Sequence, residues 1–355
     1  MKKIQSNGSL VVFDLQGKQH FIEELKNGAY SKHFVLVDEN TKKYCLPTFL
    51  EWFEEKDHFQ ILEMPAGEPN KHLQTCEDIW IKLSHLGADR NSVLVNLGGG
   101  VVTDLGGFVA CAFKRGIPFY NIPTTLLAMV DASVGGKTGV DLGGLKNQIG
   151  IIRDPKMVVI VEDWLHSLPK VELKSGFAEM LKHGLIADPA YWDELSDLKG
   201  IRLDQITSFV SRSVELKNEV VTADPFEKGS RKILNFGHTL GHAIESYFLA
   251  QSDKERLLHG EAIAIGMILE AYLSNAVTNL PSEEMEKIKT TFLSHYPKIN
   301  FTQKEIKAIL NLLQHDKKNR AGKVNFVLLQ AIGSPVIDIE VNPTLFGNAF
   351  EYYAH

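Results

Sequence analysis

The residues best suited to chemistry lie in the second half of the chain. Asn235-Phe-Gly-His238-Thr-Leu-Gly-His242-Ala-Ile-Glu245 places two histidines four residues apart. On a helix, positions i and i+4 share a face. His259-Gly260-Glu261 follows seventeen residues after His242, and Glu179 and His183 repeat the i, i+4 spacing upstream. Zinc binds imidazole nitrogen and carboxylate oxygen, and a catalytic zinc site uses three protein donors with one position open. Glu179, His238, His242 and His259 are therefore candidate metal donors. Spacing leaves His242 open to two roles, ligand or acid/base: four donors close the site, whereas three leave His242 for proton transfer. Lys182, Lys217, Arg231, Lys232, Lys317 and Lys318 lie in the same stretches. They suit an anionic substrate held by point charges and a guanidinium fork.

A second constellation lies earlier. Ser92-Val-Leu-Val-Asn-Leu-Gly-Gly-Gly-Val-Val-Thr-Asp104 reads as a strand entering glycines and then a helix. Glycines let a backbone approach a pyrophosphate, and a helix N-terminus offers free N–H groups. Tight strand–helix packing is the competing use of the same glycines. Asp38 ends an earlier strand, where a carboxylate either accepts from ribose hydroxyls, as in dinucleotide-binding folds, or caps a turn. Val134-Gly135-Gly136-Lys137-Thr138 falls short of a P-loop, because Asp131 stands where the pattern needs glycine. Its lysine still suits a phosphate or carboxylate.

These residues need elements to hold them. Phe34 to Val37, Gln60 to Met64, Ser92 to Leu97, Phe119 to Ile122 and Met157 to Val161 read as strands. Thr75 to Leu86 has helical spacing. Strands separated by helical patterns predict a largely parallel α/β sheet. After about Pro169, helices are expected over Glu172 to Ile186, Leu203 to Val221, Leu234 to Leu249, Glu255 to Ala276, Ser282 to Leu293 and Gln303 to His315. A hairpin is expected from Lys323 to Leu329 and Val336 to Ile339 across Gly333-Ser334-Pro335. The expected domains are residues 1–168, α/β, and residues 169–355, mainly helical. The default place for a ligand is a crevice between domains.

The 355 residues fit about two domains. With 44% hydrophobic and 23% charged residues, a packed core is available and disorder is a poor reading. The net charge of −6 carries no basic footprint, which argues against nucleic acid. Cys45, Cys76 and Cys111 form no C-x-x-C pair and read as buried thiols in a reducing compartment. Met1 to Leu10 lacks the apolar run of a signal peptide. Val93 to Phe113 is interrupted by Asn96, Asp104 and five glycines, so no membrane span is expected. A soluble cytoplasmic protein is the expectation.

The motifs, in order, resemble the 3-dehydroquinate synthase family nearly end to end. They are Gly-Gly-Gly-Val-Val-Thr-Asp-Leu-Gly-Gly (98–107), Arg115-Gly116-Ile117, Pro-Thr-Thr-Leu-Leu-Ala (123–128) and Asp-Ala-Ser-Val-Gly-Gly-Lys-Thr-Gly (131–139). Lys146-Asn147, Ala-Glu-Met-Leu-Lys (178–182), Arg231, the 235–245 run, His259-Gly-Glu and Asp-Lys-Lys (316–318) complete the set. The resemblance implies an NAD-binding α/β domain followed by a helical metal-binding domain. Glu179, His238 and His259 then look like zinc ligands, with cobalt an alternative metal, and His242 like an acid/base. Asp38, Asn40, Glu68, Lys71, Gly99, Gly100, Asp104, Thr124, Thr125 and Lys146 fall on NAD-contacting positions. Asp131, Lys137, Asn147, Lys182, Lys217, Arg231 and Asn235 fall on substrate-contacting positions. Glu227 matches a further acid/base, and Lys317 or Lys318 a further substrate lysine. Arg115 resembles an arginine that reaches the neighbouring subunit's site, which implies a homodimer. Met129, Asp141, Ser175 and His183 depart from residues common in the family, and Ser175 falls near the cofactor.

The activity so implied turns 3-deoxy-D-arabino-heptulosonate 7-phosphate into 3-dehydroquinate and phosphate by oxidation, elimination, re-reduction, ring opening and aldol closure. The rival readings are another sugar phosphate cyclase, a metal-dependent polyol dehydrogenase and a silent NAD-binding protein. A dehydrogenase lacks the set Lys137, Asn147, Lys182, Lys217 and Arg231, and accumulates NADH.

Overall fold

The computed structural model describes residues 2–143, 145–251, 256–313 and 324–355. The N-terminal part runs β1 (Lys3–Gln5), β2 (Leu10–Phe13), α1 (Asp14–Asn27), β3 (His33–Asp38), α2 (Glu39–Tyr44), α3 (Leu46–Leu50), β4 (Phe59–Met64), α4 (Leu73–His85), β5 (Val93–Gly98), α5 (Gly100–Ala112), β6 (Phe119–Pro123), β7 (Lys137–Leu142), β8 (Leu145–Ile152) and β9 (Met157–Ile160). Seven strands form one sheet in the order β1-β2-β9-β6-β5-β3-β4. All neighbours are parallel except β1 with β2. The central strand β5 is buried at every residue, as expected of a parallel strand covered on both faces. Leu94 packs in one core cluster with Phe34 and Leu36 of β3, Leu105 and Val109 of α5, and Phe119 of β6. Each such side chain contributes about 1.5–3 kcal/mol on burial.

The five strands expected from sequence are present, with ends shifted by a residue or so. The β7–β8 ribbon, β1, β2 and α1 are additions that the apolar periodicity did not reveal. The ribbon is short and glycine-rich: a Cβ on Gly139 would lie 2.5 Å from the Ile149 carbonyl oxygen, so backbone contact replaces side-chain alternation there. Gly135 and Gly136 turn with φ of 101° and 68° into strand β7, not into a helix, so no P-loop forms.

The remaining elements are α6 (Lys170–Ala187), α7 (Pro189–Ser196), α8 (Leu203–Ala223), α9 (His238–Leu249), α10 (His259–Thr278), α11 (Ser282–His295), α12 (Gln303–Leu312), β10 (Asn325–Ala331), β11 (Ser334–Glu340) and α13 (Thr344–Ala354). Helix α10 is buried on all sides and packs against α6, α9, α11, α13 and β10. A helix apolar all round belongs in a core. Two expected helix starts need correction. Ser230–Asn235 winds as a 3-10 turn, and Gly237 takes φ 78°, so α9 begins at His238 and not at Leu234. Helix α10 begins at His259, with residues 256–258 not helical; its expected start, Glu255, lies outside the described residues. The β10–β11 hairpin forms antiparallel, with Gly333 at φ 82° in its turn. Its expected first residue, Lys323, and the expected helix end His315 lie outside the described residues.

The chain divides into two compact units. One is Met1–Pro169 with Thr207–Pro225; the other is Lys170–Ile206 with Phe226–His355. Against one boundary expected near residue 168, the chain crosses between units three times. Most of α8 thus belongs with the first unit. There Asn218 Nδ2 donates to the Gln5 carbonyl at 3.1 Å and Lys2 Nζ to Ser211 Oγ at 2.7 Å.

Candidate functional site

In the first unit, β3 and β5 are parallel neighbours, while β4 follows β3 on one side and β6 follows β5 on the other. This reversal is a topological switch point, and ligands of open α/β sheets bind at the carboxyl ends of such strands. Those ends here are Asp38 and Gly98. Gly98 is a packing glycine: an added Cβ would lie 2.5 Å from Val102. Gly106 and Gly107 are too, facing Asn96 and Thr138 at 2.1 and 2.5 Å. Gly100 differs, since an added Cβ would meet only Ala132, at 3.3 Å. Gly99 caps α5 with no side-chain hydrogen bond. So the glycine run serves both uses: packing at 98, 106 and 107, close approach to Thr125 at 99, where an added Cβ would lie 3.0 Å from Cγ2, and an open helix N-terminus at 100. That open end fits the phosphates of a dinucleotide. Asp38 caps α2, taking the Thr41 N–H at 2.7 Å and the Thr41 hydroxyl at 2.9 Å on Oδ1. Thr124 N–H donates to the Gly98 carbonyl at 3.0 Å, and Thr125 Oγ1 accepts from the Ala128 N–H at 3.2 Å. Asn40 is exposed on α2.

Lys71 joins residues that the sequence sorted into different roles. Its buried ammonium donates to Asp104 at 2.6 Å and to Asn147 Oδ1 at 2.7 Å. Burial opposes the Lys71 charge, but Asp104 and Glu68 outweigh it and raise its pKa. Lys146 pairs with Glu68 at 2.9 Å. Asp141, one of the family departures, accepts the Asn147 N–H at 2.6 Å, while its own N–H donates to the Lys71 carbonyl at 2.8 Å. Asn147 sits there with φ 51°, a conformation asparagine tolerates. Lys217 on α8 pairs with Asp131 at 2.7 Å and also donates to the Asp131 carbonyl. Lys137 is exposed at the start of β7. Arg115 is exposed in a left-handed turn at φ 70°.

In the second unit, Glu179, His238 and His259 each offer one ligand atom, all within 4.8 Å of one another. Both Glu179 oxygens are buried and lack a hydrogen bond of good geometry. Their neighbours are charges and rings: the Lys182 ammonium, His238 Nε2 at 3.4 Å and His259 Nε2 at 3.5 Å. The other ring nitrogens are occupied. His238 Nδ1 faces the Phe236 carbonyl at 3.0 Å, and His259 Nδ1 faces Glu245 Oε2 at 3.1 Å. With Nδ1–H donating, each Nε2 lone pair is turned toward the carboxylate, the usual preparation of a metal-binding imidazole. Burial opposes the Glu179 charge, but Lys182 and His238 outweigh it and hold its pKa well below the usual range. Burial, helped by Lys182, lowers that of His238. A carboxylate and a neutral imidazole are the states a divalent cation requires. The donor set therefore fits a metal such as zinc.

His242 lies beside this set, with its ring 5.1 Å from His238 and 5.9 Å from His259. It forms a second donor group with Glu245 and His259. Asn235 Nδ2 donates to Glu227 Oε1 at 2.7 Å, which pairs an expected substrate position with an expected acid/base position. Arg231 and Lys182 are buried. Lys317 and Lys318 lie outside the described residues. Ser175 accepts the Gly260 N–H at 3.0 Å, fixing the start of α10 on α6. Two carboxylates that contact the donor histidines or their helix received no role from the sequence. Glu245 was legible, since it follows His238 by seven residues on the same helical face. Glu270, on α10, has no local signal.

A parallel sheet with a switch point, joined in one chain to a helical part, is a fold that solved sugar phosphate cyclases share with glycerol dehydrogenases, the latter at TM-scores of 0.65 and 0.61. The structure superposes with a TM-score of 0.86 on 2-deoxy-scyllo-inosose synthase complexed with carbaglucose-6-phosphate, NAD+ and Co2+, at 25% identity over 99% of both chains. It superposes with a TM-score of 0.85 on ValA, the 2-epi-5-epi-valiolone synthase of Streptomyces hygroscopicus subsp. jinggangensis with NAD+ and Zn2+ bound, at 25% identity over 100% of this chain and 98% of that one. Residues 61–175 match the 3-dehydroquinate synthase N-terminal domain and residues 176–319 the C-terminal domain. The chain is 42% identical over 340 residues, 94% of each protein, to the 3-dehydroquinate synthase of Parabacteroides distasonis. It belongs to the 3-dehydroquinate synthase family.

Proposed function

We propose that this chain converts 3-deoxy-D-arabino-heptulosonate 7-phosphate to 3-dehydroquinate and inorganic phosphate, with NAD and one divalent metal, zinc or cobalt. The observation that carries the reading is the buried Glu179 carboxylate, facing two imidazole nitrogens without a good hydrogen bond. It supports a bound cation in a chain that is 42% identical to a 3-dehydroquinate synthase. The 25% identity to cyclases of other sugar phosphates favours those substrates less.

Bound NAD supplies a reversible hydride acceptor, and the metal a Lewis acid. The chain supplies the rest. Glu179, His238 and His259 hold the metal. Asp38, Asn40, Glu68, Lys71, Gly99, Gly100, Asp104, Thr124, Thr125 and Lys146 hold the dinucleotide. Asp131, Lys137, Asn147, Lys182, Lys217, Arg231 and Asn235 fix the substrate's phosphate, carboxylate and hydroxyls, which lowers the entropic part of the barrier. His242 and Glu227 move protons at the substrate hydroxyls during oxidation and ring opening. Lys317 or Lys318 adds a further cation. Oxidation acidifies the adjacent C–H, so phosphate leaves by β-elimination, and hydride return leaves no net redox change.

The assembly we propose is a homodimer in the cytoplasm, with Arg115 reaching the second subunit's site. The exposed left-handed turn that carries Arg115 supports this. Among the described residues no helix is long and apolar enough to cross a membrane.

The deciding assay follows phosphate release from the heptulosonate phosphate with catalytic NAD and added zinc, and NADH in the same sample. Many phosphates per NAD without net NADH is the expected result. Net NADH from a polyol without phosphate release overturns the proposal in favour of a dehydrogenase.

A further inference from the structure

We infer that Glu270 is a positioning residue for the metal donors: from α10 it caps the helix that carries His238 and so sets where that imidazole points. The inference rests on the donor-set reading above. His238 is the first helical residue of α9, and its N-cap is Gly237, which has no side chain to accept the first-turn N–H groups. No local side chain can replace it, because Gly237 has φ 78° and an added Cβ would lie 2.2 Å from Met267 Cγ. The third helical residue, Leu240, is apolar and cannot reach back.

Glu270 fills both gaps. It is fully buried; Oε2 accepts the Gly237 N–H at 2.7 Å, and Oε1 accepts the Leu240 N–H at 3.0 Å. These are the N-cap and N3 amides, the two donors that a capping box satisfies with two side chains. Here one carboxylate, 33 and 30 residues along the chain, satisfies both. A carboxylate at a helix N-terminus also places its oxygens at the positive end of the dipole.

The same helix begins with His259. Its Gly260 N–H is held by Ser175 of α6, the helix of Glu179. An added Cβ on Gly266 would lie 2.0 Å from the Gly237 carbonyl oxygen, so α9 and α10 touch backbone to backbone. Helix α10 therefore carries one donor, anchors the helix of the second and, through Glu270, fixes the start of the third donor's helix. Both Glu270 oxygens are committed to the α9 backbone, so its action on the metal passes through His238.

The test uses the full chain loaded with cobalt(II), reading the visible spectrum, cobalt affinity by chelator competition and NAD affinity. Glu270→Gln keeps one acceptor oxygen and turns an NH2 group toward a backbone N–H. Its expected result is a shifted spectrum and cobalt affinity lowered about tenfold or more, with NAD affinity unchanged. Ser274→Ala is the comparator. Ser274 is equally buried on α10, where its hydroxyl holds the Leu329 N–H at 2.9 Å. It should lose melting temperature yet keep the wild-type spectrum and affinity. A folded Glu270→Gln with wild-type spectrum and affinity overturns the inference, as does equal weakening in Ser274→Ala. If Glu270→Gln does not fold, hydrogen exchange on the metal-free wild type decides: Gly237 and Leu240 amides that exchange like a frayed terminus overturn it, and strong protection upholds it. Glu179→Gln separates the two levels. Undiminished cobalt binding there removes the donor set and this inference together, whereas loss there with no effect at Glu270 removes this inference alone.

Discussion

The cluster around Lys71 and the donor set around Glu179 are both built from buried charges, but they are closed to different degrees. Lys71 meets Asp104 and Asn147 at hydrogen-bonding distance, and Asp141 ties Asn147 back to the Lys71 backbone. Those hydrogen bonds tie the cluster together, although burial outweighs the attraction of Lys71 and raises the Asp104 pKa. Glu179 has a cation at Lys182 and two imidazole nitrogens at 3.4 and 3.5 Å, but no good hydrogen bond. Lys182 and His238 offset the burial of that carboxylate, and its ligand atom lies within 4.8 Å of those of His238 and His259, as donors to one ion do. A cluster of this kind shapes a surface for a ligand, while converging donors would take an ion into the structure. Mutations should therefore act on stability in the first case and on metal content in the second.

The largest expected effect is at the open set. His259→Ala should lose its metal and cut turnover by about 10³-fold, the several kcal/mol that a Lewis acid supplies, with the fold retained. Metal analysis of the purified variant checks this, and full occupancy would remove His259 from the donors. The closed cluster comes next. Lys71→Met leaves Asp104 without its partner and should cost about 2 kcal/mol in a urea melt, with metal content unchanged. Loss of metal in that variant would break the contrast. The cluster also has a pH signature. A lysine whose folded pKa is raised contributes stability that is intact below its unfolded pKa of about 10.4 and is lost as pH rises through the higher folded value. Wild-type urea midpoints should thus show no contribution from Lys71 titration up to about pH 10, and a fall above it that Lys71→Met lacks. Lys217→Ala should raise KM for the sugar phosphate enough to lower kcat/KM about tenfold while sparing NAD affinity. Equal loss of both would mean that Lys217 serves the cofactor. The smallest effect is expected at the partly exposed Lys146–Glu68 pair. Lys146→Ala should change stability by less than about 1 kcal/mol and be visible mainly in NAD affinity.

Much of the metal set was legible because helical periodicity is local. His238 and His242 share a face by spacing alone, and Glu245 shares it too. The five parallel strands were legible because strands buried on both faces are written as continuous apolar runs. The β7–β8 ribbon was not, since its glycines carry no alternation. The start of α9 was misplaced by four residues because the apolar pattern runs through Ile233 and Leu234, whereas the left-handed Gly237 decides the boundary. The glycine run at 98–107 looked alike throughout, and only the neighbours of each position separate the packing glycines from the open helix end.

The sequence by itself determined the five central parallel strands, most of the helices, the candidate donors and the family, because these depend on residue chemistry at short spacing and on motif order. Tertiary structure alone decided which charges are satisfied. Lys71 finds Asn147 across 76 residues, and Glu270 finds Gly237 across 33. Which side chains meet at such separations is set by how helices and strands pack. No local pattern encodes that packing, because its free energy comes from burial summed over the whole core.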